Sequence, residues 1–146
     1  MKYSFETSPG NFSYRISKLL GKHLKNKISE SEIDLETEEW FVISMLHEKQ
    51  ECSQLELTEK LAINKVKISR LATALENKNI IIRNSNTKDK RLRRLSLSPE
   101  GIELYKKTEP LAESVIQKAF KGFNKNEYIQ MIAFCNRILT NLEDAE

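Results

Sequence analysis

Four glycines, three prolines and two cysteines are all that 146 residues contain of the types that build turns, close backbone approaches and cross-links. So little glycine leaves little room for a phosphate-cradling loop, and so few turn formers argue against a β-sandwich of many short strands. Cys52 and Cys135 stand far apart and are too few for a disulfide framework or for a Cys-x-x-Cys pair of the zinc or redox type. No apolar run nears the roughly 18 residues of a membrane-spanning helix, and residues 1–10 lack the apolar core of a secretory signal. The expectation is a cytoplasmic chain with no membrane partner. Catalytic signatures are missing as well: there is no His-Glu-x-x-His, no Gly-rich phosphate loop and no nucleophile elbow, and only His23 and His47 stand ready as general bases. An enzyme is therefore not expected, nor is a cofactor.

What is present points to one compact, mainly helical domain, with 39% hydrophobic and 31% charged residues. The net charge of +3 hides an asymmetry. Residues 60–94 hold eleven basic and two acidic side chains, a net +9, while residues 1–59 carry −4 and residues 95–146 carry −2. A basic middle between acidic ends suits a polyanion-binding surface on a neutral scaffold; the plainer reading of any one such run is a solvated face.

Apolar residues Phe12, Ile16, Leu19, Leu20 and Leu24 recur at steps of three and four, which predicts an amphipathic helix over 11–27. A polar stretch over 29–34 follows, then a helix starting at 35–40 with carboxylates in its first turn and running to about His47. Ser53 and Glu56 have capping-box spacing for a short third helix. Asn64 can cap a fourth, with Ile68, Leu71, Ala72 and Leu75 on one side, Lys65, Lys67, Arg70 and Thr73 mostly elsewhere, and Asn79 placed to end it in the left-handed conformation. The β-branched run 80–83 and residues 92–97 read as two strands around a polar turn over 84–90, a hairpin with a basic tip. Ser98-Pro99-Glu100 opens another helix, which Pro110 should kink or break. Val115, Ile116, Ala119, Phe120 and Phe123 continue an apolar face, and Asn124 to Glu127 caps a last helix bearing Tyr128, Met131, Ile132, Cys135, Ile138, Leu139 and Leu142.

Two short helices joined by a tight turn, the second basic and followed at once by a basic hairpin, form a winged helix-turn-helix. The second helix fits a DNA major groove, and the hairpin can reach the minor groove or phosphates. Winged helices also dock proteins, and the basic middle favours DNA.

The hairpin sequence Asp89-Lys90-Arg91, followed by Leu95-Ser96-Leu97-Ser98 and Glu100-Gly101, resembles that of the MarR family of bacterial transcriptional regulators, with Ser98 in place of the family's Thr. The similarity spans nearly the full length. It departs at Val66 and Lys67, where small hydroxyl residues are common, and at Asn79, where Gly is usual.

The resemblance implies a single domain over 1–146, with dimerisation helices at 1–34 and 110–146 and a DNA-binding lobe at 35–109. It implies a homodimer on double-stranded DNA, acting as a repressor tuned by a small aromatic or phenolic effector. Arg91 would enter the minor groove, with Asp89 orienting its guanidinium through a charge-assisted hydrogen bond. The candidate DNA contacts are Lys65, Lys67, Ser69 and Arg70 in the recognition helix, with Lys88, Asp89, Lys90, Arg91, Arg93 and Arg94 in or beside the wing.

No local motif marks an effector crevice, although Tyr14, Arg15, His23 and Trp40 could line one. Cysteine or metal sensing is a minor alternative. Neither Cys52 nor Cys135 shows the sequence context of a low-pKa thiol, and His47, Glu48, Glu51 and Cys52 form only a local cluster of possible ligands. The rivals of a different kind are a nucleoid-type DNA binder and a protein-docking winged helix without an effector.

Overall fold

The computed structural model describes residues 1–84, 88–89 and 92–143. Six helices and three strands follow in the order α1 (Pro9–Glu30), α2 (Thr37–Lys49), β1 (Glu51–Ser53), α3 (Gln54–Leu61), α4 (Lys65–Asn77), β2 (Ile81–Asn84), β3 (Arg94–Leu97), α5 (Pro99–Ala119) and α6 (Lys125–Glu143).

Local chemistry sets most boundaries. Ser8 caps α1 by accepting the Asn11 N–H at 3.1 Å, with Pro9 at the first helical position. The helix therefore starts two residues before Asn11, and it runs through Ser29 to Glu30, into the polar stretch expected to follow it. Ser53 and Glu56 close the predicted capping box on α3, at 3.1 and 2.9 Å. Asn64 caps α4 through the Lys67 N–H at 2.9 Å, and Asn79 at φ 61° ends the turn after it in the left-handed conformation. Asn124 and Glu127 cap α6 reciprocally at 2.9 and 2.8 Å.

One expectation is extended and one corrected. The predicted hairpin forms from β2 and β3 and is part of a three-stranded antiparallel sheet in the order β1-β3-β2, with Cys52 opposite Leu95 and Ile81 opposite Leu97. At three residues β1 is too short to show alternation, and its pairing with β3 alone creates it. Pro110 does not break α5, which is continuous from Pro99 to Ala119. Pro110 and Lys106 are both exposed, so water can replace the N–H donor that proline lacks. Residue 110, where the resemblance divides the lobe from the C-terminal dimerisation segment of the single domain, lies within α5.

The core joins α2, α3, α4 and the sheet through Val42, Ile43, Leu46, Cys52, Leu57, Ile68, Leu75 and Leu95, all essentially without solvent contact. Each large aliphatic side chain so buried contributes about 1.5–3 kcal/mol. Leu24 and Ile28 tie α1 to this core and Val115 ties α5. Buried Glu39 on α2 accepts from its own cap at Glu36 N–H (2.9 Å) and from Lys78 Nζ (3.3 Å), which fixes the start of α2 to the end of α4. In contrast, α6 buries no residue of its own.

Candidate nucleic-acid interface

Helix α4 turns Ile68, Ala72 and Leu75 inward, which leaves Lys65, Val66, Ser69, Arg70, Thr73 and Asn77 on its open side. At 13 residues it is about 20 Å long. Beside it runs an open groove of about 690 Å³, closed on its other side by Gln54, Leu55 and Thr58 of α3. Three predicted contacts, Lys65, Ser69 and Arg70, lie together on this groove. Thr73 and Asn77 extend their face, and Gln54 and Thr58 complete it. Thr73 stands three and four residues from Arg70 and Ser69, and Asn77 four from Thr73, a spacing legible in the sequence, whereas α3's contribution needs the helix pair to be packed.

Lys67, the fourth predicted contact on the helix, does not line the groove; its Nζ lies 2.6 Å from Glu38 Oε1 on α2. At the wing, Lys88 is exposed, and Asp89 and Arg93 are half-buried. Lys90 and Arg91 lie outside the described residues, and so does the expected Asp89–Arg91 pair. Arg94 is occupied within the chain: Nη1 donates to both carboxylate oxygens of Glu56 at 2.9 Å, and Nε donates to Glu51 Oε1 at 3.2 Å. The hydrogen bond from Ser53, then that from Arg94, hold the Glu56 carboxyl below the usual carboxylate range. Glu56 in turn raises the already high pKa of Arg94.

A second cavity, of about 470 Å³, opens between α1, α2, α5 and α6. Leu20, Leu24, Trp40, Phe41, Val115 and Met131 supply its apolar wall, Ser13, Ser17 and Thr37 its hydroxyls, and among the described residues no charged one lines it. Of the four residues suggested for a crevice, only Trp40 is there; Tyr14 and Arg15 are exposed on α1 and His23 is half-buried elsewhere. Tyr105 stacks between Trp40 (ring centroids 5.2 Å) and His47 (3.7 Å), and its hydroxyl donates to Glu109 at 3.1 Å. Burial, reinforced by that carboxylate, pushes its pKa up.

The possible sensor residues separate in space. Cys52 is buried in the sheet, and burial, followed by the charge of Glu56, pushes its thiol pKa up and disfavours the reactive thiolate. His47 is engaged with Tyr105. Among the described residues no group of three or more His, Cys, Asp or Glu side chains could hold a metal ion. Cys135 is exposed and borders the apolar cavity. Among the described residues no helix is long and apolar enough to cross a membrane.

Comparison with known proteins shows what these features are similar to. The MarR family model matches residues 35–92, and no curated protein sequence matches. A MarR-family transcriptional regulator from Silicibacter pomeroyi superposes with a TM-score of 0.80 at 20% identity, over 94% of this chain and 92% of that one. BpsR of Bordetella bronchiseptica, whose DNA binding is regulated by 6-hydroxynicotinic acid, gives 0.78 at 20%, over 94% and 97%. MepR of S. aureus, in complex with DNA, gives 0.77 at 21%, over 95% and 99%. At these identities the likeness establishes the fold.

Proposed function

From the match of residues 35–92 to the MarR family model, we propose that the chain is a member of that family and a sequence-specific transcriptional regulator of double-stranded DNA, working as a homodimeric repressor tuned by a small molecule. The observation that carries this reading is the open face of α4, where Lys65, Ser69 and Arg70 share one groove next to the wing. Lys65 and Arg70 supply phosphate attraction and a guanidinium fork for base edges, and Ser69 adds a small hydrogen-bonding group. Exposed Lys88 adds a further cation beyond α4, and the sequence continues the basic run with Lys90 and Arg91.

Dimerisation is supported by α6, whose stripe of Tyr128, Ile132, Ile138, Leu139 and Leu142 is left uncovered by its own chain, as are Phe12, Ile16 and Leu19 of α1. A second copy laid along both helices would bury these surfaces. The uncharged, aromatic-walled cavity beside Trp40 supports the effector, since its size and chemistry suit a small aromatic or phenolic molecule.

The test is fluorescence anisotropy with duplex DNA from upstream of the protein's own gene and with a scrambled duplex of equal length, across a salt series. A preference of about 10³-fold or more with a steep salt dependence supports a specific regulator. Equal binding to both supports the nucleoid-type reading, and no binding at low salt supports a docking module.

A further inference from the structure

Two arginines fasten the wing to the helix-turn-helix from opposite sides. Arg83 on β2 stands opposite Leu95 on β3, and Arg94 is the neighbour of Leu95, so the pleat sends the two guanidinium groups to opposite faces of the sheet. On one face Arg94 holds Glu56 of α3 through both carboxylate oxygens, and it holds β1 through the side chain of Glu51 and, at 3.3 Å, its carbonyl. On the other face Arg83, with only 13% of its side chain exposed, donates from Nε to Glu76 Oε2 on α4 at 3.0 Å and from Nη1 to Gln54 Oε1 on α3 at 2.5 Å. Glu56 has two tasks, because the oxygen that accepts the Ser53 N–H and closes the α3 cap also accepts Arg94. The wing strands are thereby referenced to both helices of the DNA-reading unit, and four of the partner groups are side chains whose geometry a bidentate fork can fix.

We propose that Arg83 and Arg94 are positioning residues: they set the angle between wing and α4 so that both meet the duplex together, and they are not themselves phosphate contacts. This rests on the DNA-binding reading above and revises the sequence-based assignment of Arg94 to the DNA surface. A wing at a loosened angle still attracts DNA through its charge but pays for each specific encounter by ordering the joint. The loss therefore falls on discrimination between sequences and leaves electrostatic affinity in place.

The experiment compares the unmodified protein with Arg94→Ala, Arg94→Lys, Glu56→Gln and the Arg94→Ala/Glu56→Gln double variant. Each is titrated against a duplex selected from a random-sequence library and against its scrambled counterpart, over a salt series. Glu56→Gln keeps an oxygen for the Ser53 cap, and Arg94→Lys keeps the charge without the fork. Every single variant is expected to lower the specific-to-scrambled ratio by roughly fivefold. The double variant should fall no further, since both changes break one joint. The salt slope on the scrambled duplex stays unchanged throughout.

A slope shallower by about 1 per protomer in Arg94→Ala, with Arg94→Lys retaining full discrimination, marks Arg94 as a phosphate contact and overturns the proposal. Tighter binding of both duplexes by Glu56→Gln, as a released arginine would give, also overturns it. If the unmodified protein itself fails to discriminate, the regulator reading fails, and with it the role assigned to this clamp.

Discussion

Truncating Ile132 and Leu139 to alanine on α6 tests where the uncovered apolar surface goes. The two residues lie seven apart on one stripe and are 41% and 53% exposed in the single chain. Fully burying such a side chain contributes about 1.5–3 kcal/mol, so a partner that covers the remaining half gains about 1 kcal/mol from each. Two residues on each of two protomers give about 4 kcal/mol, roughly a thousandfold in the dimer dissociation constant. Alanine is the best helix former, so α6 itself should persist, which circular dichroism checks. Sedimentation velocity over a dilution series should show the unmodified protein as a dimer and the double variant dissociating at about a thousandfold higher concentration. A variant that dimerises as tightly as its parent, or a parent that sediments as a monomer at every concentration, refutes the assignment of this face to a second copy.

Gly101→Ala should lower stability by about 1–2 kcal/mol, a melting temperature lower by about 3–8 °C. Its Cβ would run into the backbone carbonyl oxygen of Ile80 and stand 3.3 Å from Leu97 Cδ2, and this outweighs the roughly 1 kcal/mol that alanine gains over glycine in a helix. Gly10→Ala, with nothing within 4 Å, should not lower it, and an unshifted melt for Gly101→Ala refutes the packing described. Because the Glu56 carboxyl titrates below its ordinary value when folded, its contribution is complete above the unfolded value of about 4.3 and is lost as pH falls through the folded one. Urea midpoints taken from about pH 6 to about pH 3 should therefore fall less in Glu56→Gln than in the parent, and parallel curves rule the linkage out. Arg91→Ala should weaken specific DNA binding by about 1–3 kcal/mol in anisotropy, and an unchanged curve removes Arg91 from the interface.

The parts of this fold that are legible in the sequence are those decided within a few residues. The Ser53–Glu56 box, the Asn64 and Ser98 caps and the positive φ of Asn79 follow from side-chain chemistry at fixed short offsets. Features decided at long range are not legible. Strand β1 exists because β3 pairs with it, and Arg94 meets a carboxylate 38 residues away.

The charge pattern shows the same division and carries a physical consequence. The basic segment 60–94 has its surplus in the sequence, but folding brings carboxylates against part of it. Glu38 takes Lys67, Glu39 and Asp34 take Lys78, Glu76 takes Arg83, and Glu51 with Glu56 takes Arg94. Four of the six carboxylates come from α2, β1 and α3, within the acidic first part of the chain. Among the described residues Lys60, Lys65, Arg70 and Lys88 pair with no carboxylate, and Lys65 and Arg70 stand on the α4 groove. The acidic flank thus selects which cations stay available to a polyanion. The neutralised ones lie at the joints between elements, and two of the available ones, Lys65 and Arg70, line the open groove of α4.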